Sequence, residues 1–227
     1  MQVRRSDNRY NHVYSMAHID GTRHPLEVTK VERDLGVLIS DDLKVRAQVE
    51  KAAASANYML SRLRKAFRSR SLVLWRTLYL CYVRPHLEFA VQSWSPHRKG
   101  DINLLEQVQR RATNIITALK HQPYEQRLQR LRLTTLQDRR LRGDLIEQFK
   151  IIHNNIDDVC FFVPQNLSTG HSAYNLRGHN CKLERQYVRG CEERYYFFTN
   201  RIVTPWNALT QHAIDAPSVN AFKDRIF

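Results

Sequence analysis

A chain of 227 residues and 26.9 kDa is long enough for one sizeable hydrophobic core or two small ones. A hydrophobic fraction of 42%, with 10% aromatics, excludes a disordered or low-complexity chain. The 36 Lys and Arg outnumber the 22 Asp and Glu to give a net charge of +14, mostly from arginine. Guanidinium groups fork onto phosphate and stack on bases, so this surplus points to nucleic acid rather than to a lipid surface.

Up to Pro25 polar and turn-forming residues dominate. Leu26 and Val28 then alternate with Glu27 and Thr29, the period of a half-buried strand, until the phase slips at Lys30 and Val31. Leu35 to Ile39 is a second short apolar run, and Asp34 and Gly36 offer a tight turn, so a small hairpin is predicted. Ser40 or Asp41 is placed to cap a first helix, with Asp42 at its positive end. Val45, Val49, Ala52, Ala56, Leu60, Leu63 and Phe67 recur at helical spacing and form its inner face.

A second helix is predicted from Ser71, with Leu74, Leu78, Cys81 and Tyr82 inside, bent or ended by Pro85. A third is predicted behind Asp101, with Leu104, Leu105, Val108, Ala112, Ile115, Ile116 and Leu119 inside and Arg110 and Arg111 outside. Thr135-Leu136-Gln137-Asp138 has capping-box spacing and opens a fourth that carries Leu141, Leu145, Phe149 and Ile152. Beyond Ile156, Pro164, Gly170, Gly178 and Gly190 break the pattern into short mixed segments. Arg194 to Leu209 fits one more helix burying Tyr196, Phe197, Ile202, Val203 and Trp206, with Pro205 as an interruption, and Pro217-Ser218 starts a last short one. The fold class is therefore mostly α: a small β-hairpin over 1–40, a helical bundle over 41–156 and an irregular α+β extension over 157–227.

Lys51 to Leu87 carries Lys51, Arg62, Arg64, Lys65, Arg68, Arg70, Arg76 and Arg84 with no acid, an electrostatic footprint for phosphates. Tyr58, Trp75 and Tyr79 are candidate stacking rings, although their helical spacing suits core packing better. The acidic pairs Asp41-Asp42 and Asp157-Asp158 read as a helix cap and as loop residues, since Ile39 and Asn155 stand where the aromatic of a polymerase aspartate motif belongs. Cys160, His171, His179, Cys181 and Cys191 lack the paired spacing of a zinc site. His86, His97, Ser93 and Ser95 form no nucleophile motif, and the 7 glycines form no phosphate loop. No catalytic, metal or cofactor residue is assigned. The cysteines are irregularly spaced, no secretory segment is recognised and no run approaches the roughly 20 apolar residues of a membrane span, so an intracellular, nuclear or cytoplasmic, protein is expected.

Several separated strings carry a family resemblance. Glu32 to Ile39, with Leu35-Gly36-Val37, Arg84 to Pro96, Leu104 to Thr113, Leu131 to Phe149, Arg177-Gly178-His179 and Phe197 to Phe222 together resemble the region downstream of the catalytic motifs in non-LTR retrotransposon reverse transcriptases of the LINE and jockey-like type. The resemblance spans about the last 200 residues. It implies a palm-closing hairpin in which Leu35, Gly36 and Val37 support the primer end, followed by a helical thumb and a C-terminal extension. It also implies phosphate contacts from Lys51, Arg62, Arg64, Lys65, Arg68 and Arg70 to RNA and DNA. The fingers and most of the palm, with the metal-binding aspartates, would lie upstream of Met1, leaving a truncated protein that binds template and primer without extending them; the missing polymerase part is then a possible partner. The competing expectation is a helical protein-interaction module with incidental charge, for which the interleaved Arg and apolar residues of Gln126 to Arg142 suit a partner helix.

Overall fold

The structure, a computed structural model, describes residues 14–153 and 178–226; Asp157, Asp158, Cys160, Pro164, Gly170, His171 and Arg177 lie outside them. Among the described residues 59% are helical and 8% lie in strands, which makes the fold mostly α as predicted. Two antiparallel hairpins come first: β1 (Ser15–Ala17) pairs with β2 (Arg23–Pro25), and β3 (Val31–Asp34) with β4 (Val37–Ser40). The strand predicted over Leu26 to Thr29 does not form; those residues link the hairpins. Every residue of β1 and β2 is exposed, so no buried face imprinted an alternation that the sequence could display.

The first helix starts later than its capping signals suggest. The Asp42 carboxylate accepts the Lys44 backbone N–H at 3.0 Å and the Lys44 ammonium at 2.8 Å, and those bonds hold its carboxyl below the usual range. This local turn, with Leu43 in a left-handed conformation (φ 57°), competes with helix, so α1 runs Arg46–Ala66 behind an uncapped Val45. Its inner face is buried as predicted at Val49, Ala52, Ala56, Leu60 and Leu63, while Phe67 is exposed past the helix end.

α2 (Leu72–Leu78) passes through one π-helical turn (Tyr79–Val83) into α3 (Arg84–Glu88). Within that turn Arg84 N–H donates to the Tyr79 carbonyl, five residues back, and the wider coil accommodates Pro85, which therefore does not end the helix. The extra residue also turns the buried face. Trp75, Leu78, Tyr79 and Val83 point inward, whereas Cys81 and Tyr82, placed inside by even spacing, are exposed. α4 (Val91–Trp94) follows, then α5 (Lys99–Asn114), which packs along α1. Asp101 is not the cap of α5: it is buried in the first turn and accepts from Arg46 Nη1 of α1 at 2.7 Å.

α6 (Tyr124–Leu131) ends where Arg132 adopts φ 50°, so the stretch from Gln126 to Arg142 is two elements rather than one. α7 (Leu136–Ile152) opens with the predicted box, Thr135 Oγ1 accepting the Asp138 N–H at 3.1 Å; Leu141, predicted inside, is exposed. A buried polar cluster joins α5 to α6: Glu106 accepts from the Tyr124 hydroxyl and from Leu136 N–H, and Gln109 accepts from the Tyr79 hydroxyl. Burial first, and the Glu106 carboxylate second, raise the Tyr124 hydroxyl above its ordinary range.

One core gathers α1, α2, α3 and α5 around Trp75, Leu87, Leu105 and Ile116 and reaches Leu136 at the start of α7. A second gathers Leu145 and Phe149 of α7 with Leu183, Ile202, Trp206, Ile214 and Phe222. The single helix predicted over Arg194 to Leu209 is instead α8 (Glu192–Tyr195), α9 (Phe198–Arg201) and α10 (Val203–Asn207), with Ile202, Val203 and Trp206 buried as predicted. Tyr196 and Phe197, predicted inside, are exposed, because Phe197 is extended (φ −64°, ψ 154°) between α8 and α9. α11 (Gln211–Ile214) leads to α12 (Val219–Ile226), where Ser218 Oγ accepts the Ala221 N–H at 3.2 Å. His179, one of the residues considered for zinc, is buried with its Nε2 3.0 Å from the Trp206 carbonyl.

An ion pair ties the cores together. Arg201 reaches both Asp144 carboxylate oxygens at 2.8 and 2.9 Å and the Gln92 carbonyl at 2.8 Å. Burial nevertheless pushes the Asp144 carboxyl above its usual range, outweighing Arg201. No helix among the described residues is long and apolar enough to cross a membrane.

Candidate nucleic-acid interface

On α1 the residues opposite the core recur at the same helical period: Lys51, Ser55, Tyr58, Arg62 and Lys65. At 1.5 Å per residue this ridge extends about 21 Å, long enough to follow several phosphates of one strand. Arg62, Arg64, Lys65 and Arg68 are exposed, and none takes part in an ion pair among the described residues. Arg62 Nη1 donates to the Tyr58 hydroxyl at 2.8 Å, with the guanidinium carbon 5.6 Å from the ring centre. Of the three candidate stacking rings only Tyr58 is exposed; Trp75 and Tyr79 belong to the core.

The other two cationic candidates are engaged. Lys51 Nζ donates to the Gly36 carbonyl at 2.9 Å, fastening the hairpin tip to α1, and that neutral acceptor leaves the ammonium charge uncompensated. Arg70 donates to the Phe67 and Arg64 carbonyls at 2.6 and 3.0 Å and lies 4.8 Å from the Trp75 ring centre. It thereby satisfies carbonyls that the end of α1 leaves open. Beyond it Arg76 donates to the Leu131 carbonyl at 2.7 Å, and Arg84 and Arg139 share Glu88. In the second half of the acid-free stretch Arg70 and Arg76 are thus held by backbone carbonyls, and only Arg84 is compensated by an acid.

At the hairpin tip the two-residue turn Leu35-Gly36 has φ of 44° and 89°, the type I′ geometry whose twist matches the paired strands. Gly36 is required twice, since a Cβ there would also stand 3.1 Å from the Phe89 ring. Leu35 is 90% exposed, and Val37 is half-buried against the first core. A large apolar side chain in a left-handed, solvent-facing position is favoured by neither conformation nor burial. Leu35→Asn is therefore expected to stabilise the fold by about 0.5–1 kcal/mol in a thermal melt, while weakening any contact that the leucine makes with a ligand.

Between the tip, α1 and the end of α3 lies an open cavity of about 330 Å³, lined by Arg33, Gly36, Lys51, Ser55, His86 and Phe89 among others, with no acidic side chain. Arg33, His86 and Phe89 carry no site signal of their own in the sequence, though they fall in the strings Glu32 to Ile39 and Arg84 to Pro96. The arrangement offers positive charge and an aromatic edge beside a backbone turn, and the ridge of α1 starts at Lys51 on its wall. Against known proteins, the chain matches no protein-family model, no curated protein and no solved structure.

Proposed function

We propose that this chain is the nucleic-acid-holding end of a reverse transcriptase of the non-LTR retrotransposon type, binding template and primer without adding nucleotides. The observation that carries this reading is the group of exposed cations outside any described ion pair at Arg62, Arg64, Lys65 and Arg68, at and just past the C-terminal end of the helix whose Lys51 lines the acid-free cavity at the hairpin tip. Phosphates lie along the α1 ridge, and the primer end meets Leu35, Gly36 and Val37 beside Lys51. The partners are RNA and DNA, with the rest of such a polymerase as a protein partner.

The test is the affinity of the purified chain for a labelled primer–template duplex as a function of salt. Counterion release makes the logarithm of the binding constant fall linearly with the logarithm of salt, so affinity should drop by about 10³ between about 50 and about 200 mM if six or so phosphates are neutralised. An isotherm that does not move with salt overturns the reading and leaves a helical protein-docking module.

A further inference from the structure

A second surface, on the C-terminal part, has the composition of a base-stacking platform. Tyr187 is 88% exposed, and Tyr195, Tyr196 and Phe197 are exposed side by side where the chain leaves α8. Burial would have been the default for so many rings in so short a segment. Tyr196 already lies flat on His97, with centroids 4.3 Å apart and planes 4° from parallel, and Tyr195 meets Tyr196 edge-on at 5.0 Å. The Arg185 guanidinium donates to the Tyr195 hydroxyl and to Thr204 Oγ1, the latter at 2.7 Å.

The charge around these rings favours an anionic partner. Arg185, Arg189 and Arg194 are exposed, and none is in an ion pair among the described residues. Of the neighbouring acids, Glu192 and Glu193 are answered by Arg98 at 3.0 Å and 3.3 Å, and the exposed Glu184 offsets only one of the three guanidinium charges. Exposed aromatic faces beside uncompensated guanidinium groups are what a single strand needs, with bases on rings and phosphates on arginines. A duplex hides its base faces and would leave the rings idle.

We propose that Tyr187, Tyr195, Tyr196 and Phe197, flanked by Arg185 and Arg194, bind single-stranded nucleic acid by stacking, as a site separate from the ridge of α1.

The experiment measures affinity of the full chain for a short oligothymidylate, for the same oligomer without bases, and for a blunt duplex. The native chain should bind the oligothymidylate about ten- to a hundredfold more tightly than the abasic strand, since stacking contributes that much per base or two. Tyr195→Ala with Tyr196→Ala should remove that preference and leave duplex affinity unchanged. Tyr187→Ala, at a position almost wholly in solvent, should reduce it severalfold without touching the fold. Reversal of the α1 cations should abolish duplex binding yet keep the preference for bases, so failure of this site and failure of the duplex-binding ridge are distinguishable. Equal affinity of the native chain for the two single strands overturns the proposal, whether or not the double variant folds. So does displacement of neither strand by the substitutions together with binding of a proline-rich peptide, which would make the surface a protein dock.

Discussion

Changing Arg62, Arg64, Lys65 and Arg68 together to glutamate is expected to lower primer–template affinity by at least about 10³ at moderate salt and to flatten the salt dependence by about 3–4 in slope, one unit or slightly less for each phosphate no longer neutralised. Electrostatics makes this the largest functional effect available, because four attractive charges become four repulsive ones, and none of the four is offset in an ion pair among the described residues. The fold should survive. All four side chains are exposed, and only Arg62 makes a described side-chain hydrogen bond, to Tyr58. Arg64 and Lys65 lie in the last turn of α1, where acids oppose the helix dipole, so a stability loss of about 1–2 kcal/mol is expected from the glutamates. The corresponding glutamines should lose most of the affinity at a smaller cost in stability. Equal binding by all three proteins, measured by anisotropy, would remove α1 as the interface.

The largest expected stability effect belongs to Asp144 and Arg201. Both side chains are mostly buried, at 6% and 15% exposure, and the buried Arg140 adds a further positive charge near the carboxylate. Replacing one partner of such a pair leaves the other charge unanswered in a poor solvent, so Asp144→Leu should cost about 3–5 kcal/mol in chemical denaturation. The double variant Asp144→Leu with Arg201→Met should lose less than Asp144→Leu alone, because the pair together is worth little more than the desolvation it requires. The raised Asp144 carboxyl agrees with that: burial outweighs Arg201. A carboxyl raised in the folded state binds its proton more readily there than in the unfolded chain, so its stability contribution is present at low pH and is lost as pH rises through the folded value. Arg201→Met should accentuate this, giving a variant that grows more stable as pH falls from neutral into the carboxylate range. A double variant at least as unstable as Asp144→Leu would show instead that the pair is strongly net stabilising.

Features that depend on local spacing are legible in the sequence. The inner face of α1, the Thr135 box and the Ser218 cap each need only residues within one or two turns, and each is present. What is illegible depends on partners far along the chain. Asp101 reads as a cap until Arg46, 55 positions away, claims it, and Arg76 reads as an open cation until the Leu131 carbonyl does the same. Pro85 reads as a bend or a stop because a window of sequence shows no π turn to admit it. The acid-free cavity is assembled from the hairpin, α1 and the end of α3, segments that no single window brings together. Tyr196 and Phe197 read as core only along an unbroken helix; the extended Phe197 breaks it and turns them outward.

α7 contributes Leu136 to one core and Leu145 and Phe149 to the other. Most of a helix's stability in a protein comes from the packing of its apolar face, so α7 draws on both cores. It is a shared spine: loosening at either end should cost the opposite end its backing, so the two halves of the chain are expected to unravel in concert rather than by turns.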